Sequence, residues 1–219
     1  MRTVILSNSI TSWGFGVFAG CSSIQYNKSS GLSYVGSEQN PYLVLVKTND
    51  KTKVSYEVNS KTVFISNNAF ASCSNATSIA IGDQVVSIGG CAFQSCSSLV
   101  SIILPQNLTE INESLFFRCN ALESVNIPSN VTVIKNNAFA FCKSLKSVEL
   151  PEGLKKIEAS AFYFCSSLTE ISIPNSVTEI QGDVFKDCSM LSSAVLPGSI
   201  TVIPNALFRN CNSMKSITI

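Results

Sequence analysis

The chain contains no histidine. That absence removes the side chain that most often serves as general base, the partner in Ser-His and Cys-His nucleophile pairs, and the commonest zinc ligand. Charge is scarce too: 15 Lys and Arg and 14 Asp and Glu make up 13% of 219 residues, against about a quarter in an average soluble domain. With a net charge of +1 there is no global field to draw in nucleic acid, an anionic bilayer or a strongly charged substrate. No run approaches the roughly 18 consecutive apolar residues of a membrane-spanning helix. The opening Val4-Ile5-Leu6 is also too short for the apolar core of a secretory signal, so any signal peptide is expected to lie outside this chain. These absences predict no catalysis, no cofactor, no metal, no nucleic-acid partner and no membrane insertion.

Cysteine, by contrast, is present nine times, and its spacing organises the sequence. Cys73, Cys96, Cys119, Cys142, Cys165, Cys188 and Cys211 follow one another every 23 residues. A Phe stands three residues before each: Phe70, Phe93, Phe116, Phe139, Phe162, Phe185 and Phe208, with Phe18 and Cys21 as an earlier, drifted pair. A fixed period of this length is the mark of a solenoid. Apolar columns keep the same clock after each Cys, as in Leu168, Ile171 and Ile173. The last two alternate like a strand buried on one face, and Pro174 follows to stop it. Two more columns, such as Val177 and Ile180, read as a short return strand, and the Ala-Phe-x-x-Cys segment reads as a single helical turn. A lone coil cannot bury these columns; stacked neighbours can.

The fullest repeat, Ala161-Phe162 … Cys165 … Leu168 … Ile171-Ser172-Ile173-Pro174 … Val177 … Ile180, resembles the BspA-type, or Treponema-type, leucine-rich repeat. The match runs continuously over residues 62–219 and, with drift, over residues 4–24. The resemblance implies an α/β solenoid: a curved right-handed coil with parallel strands on the concave face. It also implies a cell-surface or secreted location and a non-catalytic role in adhesion or host protein binding. Partners would be proteins, such as a host matrix or cell-surface protein. The alternative is a structural spacer or self-assembling array, in which coils of neighbouring copies associate end to end.

Residues 1–219 read as one solenoid, interrupted at residues 25–53, where Leu32–Val35 and Leu43–Lys47 flank a Gly/Asn/Pro segment and predict an inserted β-hairpin. Both ends fall within a repeat, which suggests truncation. The candidate binding face consists of the outward strand positions Ser101, Ile103, Ser124, Asn126, Ser147, Glu149, Glu170, Ser172, Ser193 and Val195, continuing to Ser216 and Thr218. The Phe and Cys columns, Cys21 included, are expected to be buried packing positions rather than disulfides. Cys91 falls outside the column, where other repeats carry Asn68, Ser114, Asn137, Ser160 or Asp183. It is the candidate free thiol, expected at the surface.

Overall fold

The computed structural model describes residues 4–7, 9–14, 16–18, 21 and 23–219. From Ser55 onward the chain winds into stacked coils, each contributing a front segment and a return arm. Front strands pair in parallel at a register of 23, for example Ser101↔Ser124 and Glu170↔Ser193. Return arms do the same, for example Val133↔Lys156 and Lys156↔Glu179. Constant register follows from constant sequence period: a slip would put Ile134 of one coil beside a polar residue of the next.

Between front and return layers lies a core of columns. Six ring-to-ring contacts stack Phe70 through Phe208, with centroids 5.1–5.7 Å apart and planes within 5–17° of parallel. Phe70 to Phe185 are fully buried, as are the column cysteines from Cys73 to Cys188. Each thiol from Cys96 to Cys211 donates to the Phe carbonyl of the preceding coil, as Cys165 Sγ does to Phe139 O at 3.2 Å. The same Phe139 carbonyl accepts the N–H of Cys142 at 3.1 Å. Cysteine fits here because it is small, tolerates burial and still offers a weak donor to a carbonyl with a spare lone pair. All described cysteines are free thiols.

The expected helical turn at Ala-Phe-x-x-Cys is not present: the described residues contain no helix, and consecutive β-turns take its place. The reason lies in where the backbone donors go. Asn137, Phe139 and Phe141 donate to the carbonyls of Ala159, Ala161 and Tyr163 on the next coil, whereas Ala138, Ala140 and Cys142 close local turns onto Lys135, Asn137 and Phe139. A helix would spend every donor on its own chain. Alternation is enforced by two left-handed residues per coil, here Asn137 (φ 55°) and Phe141 (φ 63°), which no right-handed helix can incorporate.

Cys91 occupies the first left-handed column at φ 57°. It is half-buried rather than fully at the surface. The Asn, Ser and Asp of its sister coils suit that backbone because their short polar side chains tolerate it. Cys91→Asn should therefore raise stability by about 0.5–1 kcal/mol, read as an upward shift of the urea midpoint at unchanged slope.

The segment before the coils forms three strands: β1 (Asn27–Ser29), β2 (Leu32–Val35) and β3 (Val44–Thr48). β1 and β2 join through Ser30 (φ 50°) and Gly31 (φ 83°), the pair of positive φ angles that a two-residue type I′ hairpin turn needs. β2 and β3 are antiparallel, and β3 runs parallel to Phe64–Ile65, so the insertion extends the return-arm sheet. Gly36 allows the β2–β3 connection to close, since a Cβ there would lie 2.0 Å from Asn40 O. Val4, Leu6, Ile10, Trp13 and Phe18 pack on the other side of this sheet, against Val35, Leu43, Val44 and Phe64. The early Phe18–Cys21 pair consequently stays out of the central columns. Phe18 meets Trp13 at 5.6 Å, and Cys21 is exposed, contrary to its expected burial.

Candidate functional site

The outward strand positions lie where the period-two pattern puts them. Ser101, Ile103, Ser124, Asn126, Ser147, Glu149, Glu170, Ser172, Val195, Ser216 and Thr218 are exposed, and Ser193 is half-exposed. The residues between them, Ile102, Val125, Val148, Ile171 and Ala194, are buried. The face is therefore a polar surface of small hydroxyls laid over an apolar layer, with Ile103 and Val195 as its exposed apolar points.

This face is not one continuous sheet. Ser101–Ile103 pairs with Ser124–Asn126, and Glu170–Ser172 pairs with Ser193–Val195, but Ser147–Glu149 between them pairs as a strand with neither neighbour. The expectation of one strand per repeat fails at this coil. A cavity of about 600 Å³ opens beside the break, its walls including Ser147, Glu149, Glu152, Glu170, Ser193 and Val195. Val148, Leu150, Ile171 and Pro174 supply its apolar lining. Glu149, Glu152 and Glu170 form no ion pair or side-chain hydrogen bond among the described residues, whereas Lys146 nearby is held by Glu123 at 2.8 Å. The groove is thus acidic, open to solvent and apolar at its base. Glu152 belongs to it but follows Pro151, outside the alternating pattern that picks out the other lining residues.

Other polar residues hold the coils together. Ser and Thr hydroxyls donate to carbonyls 23 residues back, as in Ser192 to Thr169 O at 3.0 Å and Thr132 to Thr109 O at 3.3 Å. The asparagines of the five Asn-x-Ser/Thr triplets, Asn27, Asn75, Asn107, Asn112 and Asn130, each donate their amide to a backbone carbonyl, for example Asn112 to Ile88 O at 2.9 Å. Those of Asn75, Asn107, Asn112 and Asn130 reach 23 or 24 residues back to the preceding coil and so act as ladder rungs, while Asn27 ties the hairpin to Pro41 O.

The column thiols from Cys96 to Cys211 are lifted far from their ordinary ionisation range, whereas Cys73 at the start of the column is lowered to about 7, first by its hydrogen bond with Cys96. Burial pushes Cys119 up to about 12 and Cys211 to about 11. Cys142, Cys165 and Cys188 are raised by the same desolvation, and Cys96 is raised first by its interaction with Cys73 and then by burial. Cys91 is raised as well, by burial first and then by the Glu113 carboxylate, so its thiol is a poor nucleophile near neutral pH. Among the described residues no group of three or more His, Cys, Asp or Glu is placed to hold a metal ion, and no helix is long and apolar enough to cross a membrane.

Comparison with known proteins agrees with this architecture. The model of the BspA-type leucine-rich-repeat region matches in six copies, over residues 63–191 and 136–219. Among solved structures, the leucine-rich-repeat protein of T. pallidum is 23% identical with a TM-score of 0.63, over 89% of this chain and 82% of its own. A leucine-rich-repeat protein from Bacteroides ovatus is also 23% identical, with a TM-score of 0.52, over 81% of this chain and 58% of its own. The chain thus spans most of the first structure and less than two thirds of the second. No curated protein matches the sequence.

Proposed function

The chain belongs to the BspA-type leucine-rich-repeat family, and on that premise we propose that it is a non-catalytic binding module of a surface or secreted protein that docks a host matrix or cell-surface protein on its front face. Stacked repeats of this kind generally serve as protein-interaction scaffolds. The observation that carries the reading is the groove of about 600 Å³ beside Ser147–Glu149, the front segment that pairs as a strand with neither neighbour. Its floor is apolar and its rim polar, the arrangement of a protein-binding patch. Small hydroxyls on the surrounding strands leave room for a partner to approach the sheet closely.

A biosensor carrying the chain should bind at least one member of a panel of purified matrix and serum proteins. Ser124→Arg combined with Ser172→Arg, which adds bulk and charge to exposed face positions, should weaken that binding tenfold or more. Thr109→Arg, exposed on the return side, should leave it unchanged. Failure to bind any panel member, or equal loss with the return-side variant, would count against the face.

A further inference from the structure

The turn edge of the solenoid carries side chains that its own backbone disfavours. In the left-handed position before each column cysteine, four coils use Ser72, Ser95, Asp187 or Asn210, but three consecutive coils use Arg118 (φ 61°), Phe141 (φ 63°) and Phe164 (φ 57°). A bulky residue at positive φ is an outlier that persists only where its surroundings hold it, and such outliers gather at functional surfaces. Here they join Phe117 and Tyr163 in an aromatic ladder. Phe141 lies 5.5 Å from Phe117, 5.1 Å from Tyr163 and 5.4 Å from Phe164, and all four rings are half-exposed.

Cations cover the ladder. The Arg118 guanidinium lies 5.2 Å from the Phe117 ring and 5.7 Å from Phe141, Lys143 lies 5.6 Å from Phe164, and Lys186 lies 5.5 Å from Tyr163. Lys186 is already paired with Asp183, but Arg118 and Lys143 have no carboxylate partner among the described residues. A guanidinium held against two rings has lost rotamer freedom while its N–H groups still seek an acceptor, so it is prepared for a carboxylate. Phe, Tyr and Arg together also make the composition of energetic centres in protein interfaces.

The same coils carry the complementary patch on their front side: Glu149, Glu152 and Glu170, unpaired around an apolar floor. Each patch spans successive coils, Arg118 and Lys143 on the edge and Glu149 and Glu170 in the groove. Two solenoids lying side by side with aligned axes would therefore bring cations of successive coils to carboxylates of successive coils. The near-zero net charge offers little repulsion between copies. We propose that the aromatic and cationic edge of one copy seats in the acidic groove of a second copy. The contact is heterologous: each copy keeps one groove and one edge free, so association continues into open rows. The inference rests on the groove being a docking surface and gives it a further occupant, a second copy of this chain, which would compete there with a protein ligand.

Sedimentation velocity tests it at about 0.01 M and about 1 M salt, where the screening length is roughly 30 Å and 3 Å. At low salt the sedimentation coefficient should rise with concentration; at high salt it should return to the monomer value. Arg118→Gln with Lys143→Gln removes the charge of the edge, Glu149→Gln with Glu170→Gln removes that of the groove, and each double variant should be monomeric alone. Mixed in equal amounts they should form dimers and nothing larger, because the mixture holds one working edge and one working groove. Phe141→Asn with Phe164→Asn, which keeps left-handed turns that Asn supports, should also lose association while circular dichroism reports an intact fold. A wild type monomeric at every concentration in low salt, or a mixture that stays monomeric, would overturn the proposal. So would a monomeric chain whose edge binds heparin or oligothymidine. If the wild type is monomeric yet still binds panel proteins in a manner sensitive to Ser124 and Ser172, only the choice of occupant has failed.

Discussion

Raised above about pH 8.5, the ordinary ionisation point of a thiol, the solenoid is expected to lose stability steeply. Six column thiols, Cys96 through Cys211, are held protonated in the folded chain. The sign follows from proton counting. Above that pH the unfolded chain releases protons that the folded chain keeps, so the unfolded state binds fewer and stability falls as pH rises. The loss continues until each folded-state value is reached, which is about 11 for Cys211 and about 12 for Cys119. Each thiol contributes about 1.4 kcal/mol per pH unit once fully ionised in the unfolded chain, so six together approach roughly 8 kcal/mol per unit, comparable to the whole stability of a typical domain. Unfolding should be complete by about pH 10 to 10.5, followed by circular dichroism with reductant present. Cys165→Ala should make the pH dependence shallower by about one sixth; an unchanged slope would show that the thiols are not responsible. At neutral pH the same burial shields the column. A disulfide reagent should label Cys21 promptly and Cys91 slowly, and should reach the column cysteines only after denaturant is added.

Phe139→Ala is expected to cost about 3–5 kcal/mol. The ring is fully buried and stacked on both sides, 5.3 Å from Phe116 and 5.1 Å from Phe162, so truncation leaves a void that two rigid neighbours cannot close. The coils contact only their neighbours, so a weak coil also weakens the coupling across it. Urea unfolding should therefore show a lower midpoint, and a smaller slope if the two halves begin to unfold separately. Phe208→Ala provides the contrast. That ring is only partly buried and stacks on Phe185 alone among the column rings, so its loss should be clearly the smaller of the two. Equal losses at both positions would contradict the stacked column as the main source of cohesion.

Much of this architecture was legible because its cause is local and repeated. The columns Phe139, Cys142, Leu145 and Val148 can be read directly, as can the alternation that exposes Glu149 and Glu170. The left-handed column was legible in principle: Asn68, Ser114, Asn137, Ser160 and Asp183 are residues suited to positive φ, yet they read equally well as surface polarity. The aromatic edge had a fainter signal, the appearance of Arg118, Phe141 and Phe164 where other coils carry Ser, Asp or Asn. Seeing it as a ladder required knowing that Phe117 and Tyr163 point to the same side. Cys21 misled because a matching Phe-x-x-Cys spacing was separated from the column by the strands β1 to β3.

The 23-residue period by itself determined that coils stack, which side chains fill the core and which face outward, because burial of repeated columns requires neighbours in constant register. Only the tertiary structure decided three further matters. The Ala-Phe-x-x-Cys segment became turns because the carbonyls of the next coil compete for its donors. Ser147–Glu149 was left out of the strand ladders beside the groove, and unpaired carboxylates and unpaired cations came to lie on the front face and the turn edge of the same coils. Each depends on contacts between residues about one or more periods apart, and no pattern within a single repeat can encode what the neighbouring coil supplies.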